Sequence, residues 1–239
     1  MTKAPDIFAP TRWTLVLHAA RSDTTRARAA LQDLCQAYWY PLYAYVRRRG
    51  YSAHDAEDLT QGFFARLLKL ESLARVAPGA GKFRAFLLAS MNHFLSDERD
   101  HANAAKRSAQ HTISLDAALA ENLYANEPAD HATPERIFER RWALTLLENV
   151  VQRLHSEYEA LGQGALFAEL RFAITGDKNT VPYAELAPRL NLTEEALRVA
   201  VHRIRQRYRR VLRDEIGQTV PDAAAIEDEL TCLKRILSS

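Results

Sequence analysis

Residues 183–213 read YAELAPRLNLTEEALRVAVHRIRQRYRRVLR, and this stretch decides the fold. The pattern predicts a short helix, a three-residue turn and a long basic helix. Leu197, Val201, Ile204, Tyr208 and Leu212 recur at spacings of three or four, so one face of the second helix is buried. Thr193 stands where an N-cap belongs. Glu194 and Glu195 follow in the first turn, where acids favour the helix dipole. From Arg198 to Arg213 there are seven arginines, His202 and no acid. Exposed helices ordinarily neutralise themselves with oppositely charged residues at i,i+4. Charge left uncompensated over four turns implies an anionic partner. Two helices set at an angle by a short turn form the helix-turn-helix plan, whose second helix enters the DNA major groove. The plainer alternative is a solvated amphipathic helix rich in arginine, and the basic footprint favours DNA.

The whole chain sets bounds on what surrounds that element. At 239 residues and 47% hydrophobic content it can build two small cores. No run of eighteen apolar residues occurs and MTKAPDIFAPTRW lacks a signal-peptide core, so the expectation is a soluble, cytoplasmic protein without membrane contact. Cys35 and Cys232 lack CxxC or CxxH spacing and read as reduced thiols, not as a disulfide or zinc site. The net charge of +2 hides segregation: +6 over residues 1–110, −7 over 111–197, +7 over 198–213 and −4 over the tail. Alternating blocks point to two nucleic-acid-facing surfaces separated by an acidic middle.

Helical periodicity dominates throughout, and the expected fold class is all-α, two helical domains joined by a linker. Helices are expected at Trp13–His18, Thr24–Val46, Ala53–Leu68, Phe83–His101, Pro134–Glu159 and Ala165–Ile174. Tyr38, Trp39, Tyr40, Tyr43 and Tyr45 cluster around Pro41 and read as core rather than as a base-stacking platform. Gly50 is expected to end that helix. Ser52 should cap the next one, whose Asp55, Glu57 and Asp58 lie in the first turns. His54 beside these acids invites a metal or hydrolase reading, but helical rotation scatters the carboxylates and no second cluster completes a coordination shell. Phe83, Phe86, Leu87, Met91, Phe94 and Leu95 form one stripe of the following helix, with Lys82, Arg84, Asn92, His93 and Arg99 elsewhere. Aromatic, amide and basic groups together suit single-stranded DNA. Residues 106–133 read as a linker with one short helical turn at Ser114–Leu123. Thr133-Pro134-Glu135 starts a fresh helix with proline at N1, and Ile137, Trp142, Leu146, Leu147 and Val150 are expected to build the second core.

Taken together, these stretches resemble the sigma-70 family, specifically its small two-domain extracytoplasmic-function type. AEDLTQGFFARLL (56–68) resembles the region 2 helix that docks on the β′ clamp helices of core RNA polymerase. FRAFLLASMNHFLSDERD (83–100) is similar to the helix that melts and reads the −10 element. VPYAELAPRLNLTEEALRVAVHRIRQRYRRVL (181–212) resembles region 4, which reads the −35 element. The resemblance implies region 2 over 12–105, a linker over 106–133, region 4 over 134–213 and a C-terminal helical extension over 214–239. It implies Asp55, Glu57, Asp58, Gln61 and Phe64 at the polymerase interface, and Arg84, Asn92, His93 and Asp97 near −10 DNA. Arg198, His202, Arg203, Arg205 and Arg207 would hold −35 DNA, mostly at phosphates. It implies an alternative sigma factor, with core RNA polymerase and promoter DNA as partners, no cofactor and no catalytic chemistry.

The chain departs from the family pattern in several places. His93 displaces the usual asparagine. Thr60 and Gly62 stand where a larger apolar residue and an acid are common. Thr60 on the docking helix is a candidate phosphorylation switch for a Ser/Thr kinase, since phosphate adds about −1.5 to −2 charge; a packing threonine is the alternative. An anti-sigma factor is a further candidate partner. Pro188 inside the first region 4 helix predicts a bend or an early end. The tail, with Ile226, Leu230, Leu233 and Leu237 in phase, is expected to cap the second core. Its alternative is to mask Arg198–Arg213 with Glu227, Asp228 and Glu229. The rival function is a free-standing helix-turn-helix regulator, a dimer that binds palindromic duplex DNA without polymerase.

Overall fold

A computed structural model describes residues 25–68, 81–102, 117–125, 133–176 and 181–238. The fold is all-α, and no strand occurs among the described residues. The helix expected at Trp13–His18, the loop with Pro78 and Gly79, Lys106, Arg107 and most of the 106–133 linker lie outside the described residues. The chain divides into two units, Met1–Thr145 with Ile216–Ser239, and Leu146–Glu215.

The first unit is organised around α1 (Thr25–Arg48), against which α2 (Ala53–Leu67), α3 (Phe83–Ala102) and α4 (Ala117–Ala125) pack. Leu31, Cys35, Tyr38, Trp39, Leu42, Tyr43, Tyr45 and Val46 of α1 are all buried. Apolar groups so dense cover several helix faces at once, so α1 is enclosed by its neighbours. The aromatic cluster is therefore core, with Trp39 stacked on Tyr43 at 5.3 Å and Tyr38 edge-on to Phe83 at 5.1 Å. After α1 the chain turns at Gly50, whose φ of 93° is open to glycine at little cost. Ser52 then caps α2, its Oγ accepting from the Asp55 amide at 3.1 Å. At Gly62 the two helices α2 and α3 lie close enough that a Cβ would make ordinary contact, 3.4 Å, with the Phe94 ring, which packs on Phe63 at 5.8 Å. The linker's expected turn is a true helix, α4, held to α1 by Glu121, which pairs with Arg47 at 2.7 Å and accepts from the Tyr43 hydroxyl.

Thr133 starts α5 (Pro134–Ala160), accepting from the Arg136 amide through Oγ1 at 3.3 Å. Here the expected domain division needs correction. Ile137, Phe138, Trp142 and Ala143 are buried in the first unit, not in a second core. Phe138 lies beside Tyr38 and Tyr45, with ring centroids 6.5 and 6.4 Å away. The first turns of α5 thus complete the aromatic core of α1. The C-terminal segment also belongs to the first unit, with Ile216, Val220, Ile226 and Leu233 buried.

The second unit, Leu146–Glu215, has a core of Val150, Leu154, Phe167, Leu170, Leu186, Ala187, Leu197, Val201, Ile204 and Val211. The single helix expected over 165–174 is two, α6 (Gly164–Leu170) and α7 (Phe172–Thr175), ended by Gly176 at φ 75°. Next come α8 (Tyr183–Arg189) and α9 (Glu194–Gly217). Helix α8 ends one residue beyond Pro188, with the Leu190 and Asn191 amides donating to Ala187 and Pro188 carbonyls. This is the early end that proline favours. Asn191 takes the left-handed turn conformation at φ 52°, and Thr193 caps α9, accepting from the Ala196 amide at 3.1 Å. The last helix, α10 (Ala223–Ser238), follows α9 after a short turn.

Candidate functional site

In the second unit, α8 and α9 form the helix-turn-helix, and the buried residues Leu197, Val201, Ile204 and Val211 fix which side of α9 faces outward. At 100° per residue the opposite side carries Val199, His202, Arg203, Gln206, Arg209, Arg210 and Arg213. These residues are all exposed. The arginines expected to meet DNA therefore divide. Arg198, His202 and Arg203 are exposed, with Arg198 paired to Glu194 at 3.0 Å one turn back. Arg205 is exposed but donates to the Ala173 carbonyl at 3.0 Å, and Arg207 is bound to Glu157 by two bonds of 2.7 Å. The expectation that nothing offsets this helix's charge is thus corrected: Glu194 in the first turn of α9 pairs with Arg198, and Glu157 of α5 pairs with Arg207. The Arg207 guanidinium holds the Glu157 carboxyl below the usual carboxylate range. Arg153, between Glu157 at 3.6 Å and Glu215 at 2.6 Å, extends the network. Its work is to fix α9 against α5. Sequence reasoning missed Gln206, Arg209 and Arg210 as surface groups; the apolar phase of α9 alone would have found them.

On α2 of the first unit, Asp55 and Asp58 are exposed, and Glu57 and Gln61 are half-buried and bonded to each other at 3.0 Å. His54 approaches Asp58 at 3.7 Å. These groups leave an acidic, polar strip on α2. Two residues given roles on that helix, Phe64 at the polymerase interface and Thr60 as a phosphorylation site, do not reach that strip. Phe64 is fully buried, packed on Phe63, so it supports the strip from below. Thr60 is fully buried too, its hydroxyl donating to the Ala56 carbonyl at 2.7 Å. A hydroxyl so enclosed is out of a kinase's reach in this conformation, and a phosphate would have to enter an apolar core. Thr60 is a packing threonine.

On α3, the four residues expected near DNA are not brought together. His93 is exposed. Asn92 accepts from Tyr45 at 2.6 Å and also from Arg49. Asp97 pairs with Arg66 of α2 at 3.0 Å, both side chains about half exposed. Arg84 departs furthest from the expectation, since its side chain is 12% exposed. It is bound to Glu229 of α10, paired with Glu139 of α5 at 3.2 Å, and lies 4.8 Å from the Trp142 ring centroid. Burial alone would lower its pKa, but the hydrogen bonds and charge of Glu229 raise it overall. Among the described residues no group of three or more His, Cys, Asp and Glu could hold a metal ion. No described helix is long and apolar enough to cross a membrane.

Residues 34–104, covering most of α1 with α2 and α3, match the family model of sigma-70 region 2. The match spans 71 of the 239 residues and is to the region 2 domain alone. No curated protein and no solved structure matches the chain significantly.

Proposed function

We propose that this protein is an alternative sigma factor of the extracytoplasmic-function type, which brings core RNA polymerase to a particular set of promoters. The observation that carries this reading is the region 2 match over 34–104, in the same chain as a helix-turn-helix with an outward basic face. In this reading Asp55, Glu57, Asp58 and Gln61 of α2 meet the polymerase clamp, with Phe64 holding the helix from beneath. His93, with Asn92 and Asp97 once their present partners let go, lies near melted −10 DNA. The second unit acts as region 4. Arg198, His202 and Arg203 lead its contact with −35 DNA, Arg209 and Arg210 add phosphate contacts, and Arg205 and Arg207 hold the helix in position.

The test is capture of bacterial core RNA polymerase by the purified protein, beside a variant carrying Asp55→Ala, Glu57→Ala and Asp58→Ala. Capture by the native chain and loss in the variant support the reading. Failure of the native chain to capture core enzyme, together with tight binding to palindromic duplex DNA, would establish the free-standing regulator instead.

A further inference from the structure

The charged cluster at the start of α3 is unusual for its burial. Glu229 is 1% exposed, its carboxylate paired with Lys82 at 2.6 Å and with Arg84. Arg84 also donates to the Cys232 sulfur at 3.1 Å, and Glu139 completes a set of two cations and two carboxylates. Beside it, the Phe83 amide donates to the Thr219 carbonyl at 3.0 Å, so the C-terminal segment also satisfies one of the orphan amides at the start of α3. Ile226 and Leu233 anchor α10 on either side of Glu229 in sequence. Burying a carboxylate is expensive unless cations meet it there, and here α10 supplies the anion and α3 the cations. With α10 in place the cluster is neutral. Without it, Glu139, which pairs with Arg84, is the one carboxylate left among these four described groups, leaving a net positive charge at a helix N-terminus, which favours an anion.

We infer that α10 is an autoinhibitory latch: Glu229 occupies the place of a nucleic-acid phosphate on Lys82 and Arg84, and release of the C-terminal helix opens that end of α3 to single-stranded DNA. The assignment of α3 to −10 DNA rests on the sigma reading proposed above. A ligand that needs the two cations must displace α10.

The test uses the full chain and a fluorescein-labelled single-stranded oligodeoxynucleotide of mixed sequence, followed by anisotropy over a salt series. Two variants release the latch by different means: Glu229→Lys opposes the two cations, and Leu233→Asp disrupts the apolar anchor without adding positive charge. Hydrogen exchange of residues 218–238 reports release, and exchange of α1 reports that the first unit stays folded. Asp228→Lys, on the exposed side of α10, controls for added charge. With α10 released, affinity is expected to rise about eightfold per phosphate gained at 50 mM salt, taking a slope of about 0.7 per phosphate for single strands extrapolated from 1 M. Lys82→Gln added to Leu233→Asp should remove most of that gain. Release without a gain would overturn the latch. So would a Glu229→Lys tail that stays protected, or loss of protection in α1 in both variants, since α10 would then be held otherwise or be indispensable to the fold. None of these readouts uses core polymerase, so failure of the sigma reading, seen in core capture, is distinguishable from failure of the latch.

Discussion

Replacing Arg207 by methionine separates the arginines that hold α9 from those that face outward. Arg207 gives Glu157 two bonds of 2.7 Å, and the two side chains are 35% and 30% exposed. Exposed ion pairs contribute roughly 0.2–1 kcal/mol. Bidentate geometry and partial burial put this pair at the upper end, about 1 kcal/mol. A loss of that size lowers the melting temperature by about 4–8 °C if the second unit melts alone, and about 2–4 °C if the chain melts as one. The pair also has a defined pH dependence. Arg207 depresses the Glu157 carboxyl, so its stabilisation is complete above the ordinary carboxylate pKa. It disappears as pH falls through the lower folded value, and native and Arg207→Met proteins should converge only once the pH is below that folded value. DNA binding should behave the other way. Each phosphate contact on duplex DNA contributes about 0.9 to the salt slope of log affinity. Arg210→Gln should therefore flatten the slope by up to about 0.9 and leave the melting temperature nearly unchanged, whereas Arg207→Met should melt early with its slope intact. Anisotropy titrations of a labelled duplex over a salt series, with melts of the same samples, measure both. If Arg207→Met flattens the slope as much as Arg210→Gln does, Arg207 leaves Glu157 to bind DNA and this division of the basic helix is wrong.

Other substitutions test the first unit. Phe64→Ala should cost about 3–5 kcal/mol in urea unfolding, because the ring is fully buried. A cost under about 1 kcal/mol would return Phe64 to the surface. Thr60 should take up no phosphate when the native protein is treated with a promiscuous Ser/Thr kinase and mapped by mass spectrometry, and a stoichiometric phosphothreonine would contradict its burial. Ser52→Ala should destabilise the chain by about 1 kcal/mol through loss of the α2 cap, read as a shift in the urea midpoint at constant slope. An unchanged midpoint would mean that the Ser52 bond to Asp55 contributes nothing.

Much of the secondary structure was legible because single residues announce it. Ser52, Thr133 and Thr193 each precede a helix and each accepts an amide bond as an N-cap. The aromatic run of α1 was readable as core from its density alone. What periodicity could not give was the destination of each buried face. Ile137 and Trp142 share a helix with Val150, yet they are buried in different units, and nothing in the spacing marks the change at Thr145. Family position marks Phe64 for the polymerase interface and Thr60 for a kinase, whereas helical phase counts Phe64 as core and allows a packing threonine at 60. That phase puts both on the side of Ala56, Phe63 and Leu67, all buried. Charged residues were harder still. Glu229 lies in an acidic tail that could oppose any of the chain's basic blocks, and only the fold pairs it with Lys82 and Arg84 rather than with Arg198–Arg213. Likewise, counting acids within α9 could not reveal Glu157, which comes from α5, some fifty residues earlier in the chain.

The measurement that tests the central claim most directly is in vitro transcription from sheared genomic DNA of the source organism, by bacterial core RNA polymerase with and without this protein, with the 5′ ends of the transcripts sequenced. The account predicts discrete start sites that require the added protein, share sequence elements near −10 and −35, and vanish when Asp55, Glu57 and Asp58 are replaced by alanine. Transcripts unchanged by the protein, while it binds duplex DNA tightly on its own, would contradict it.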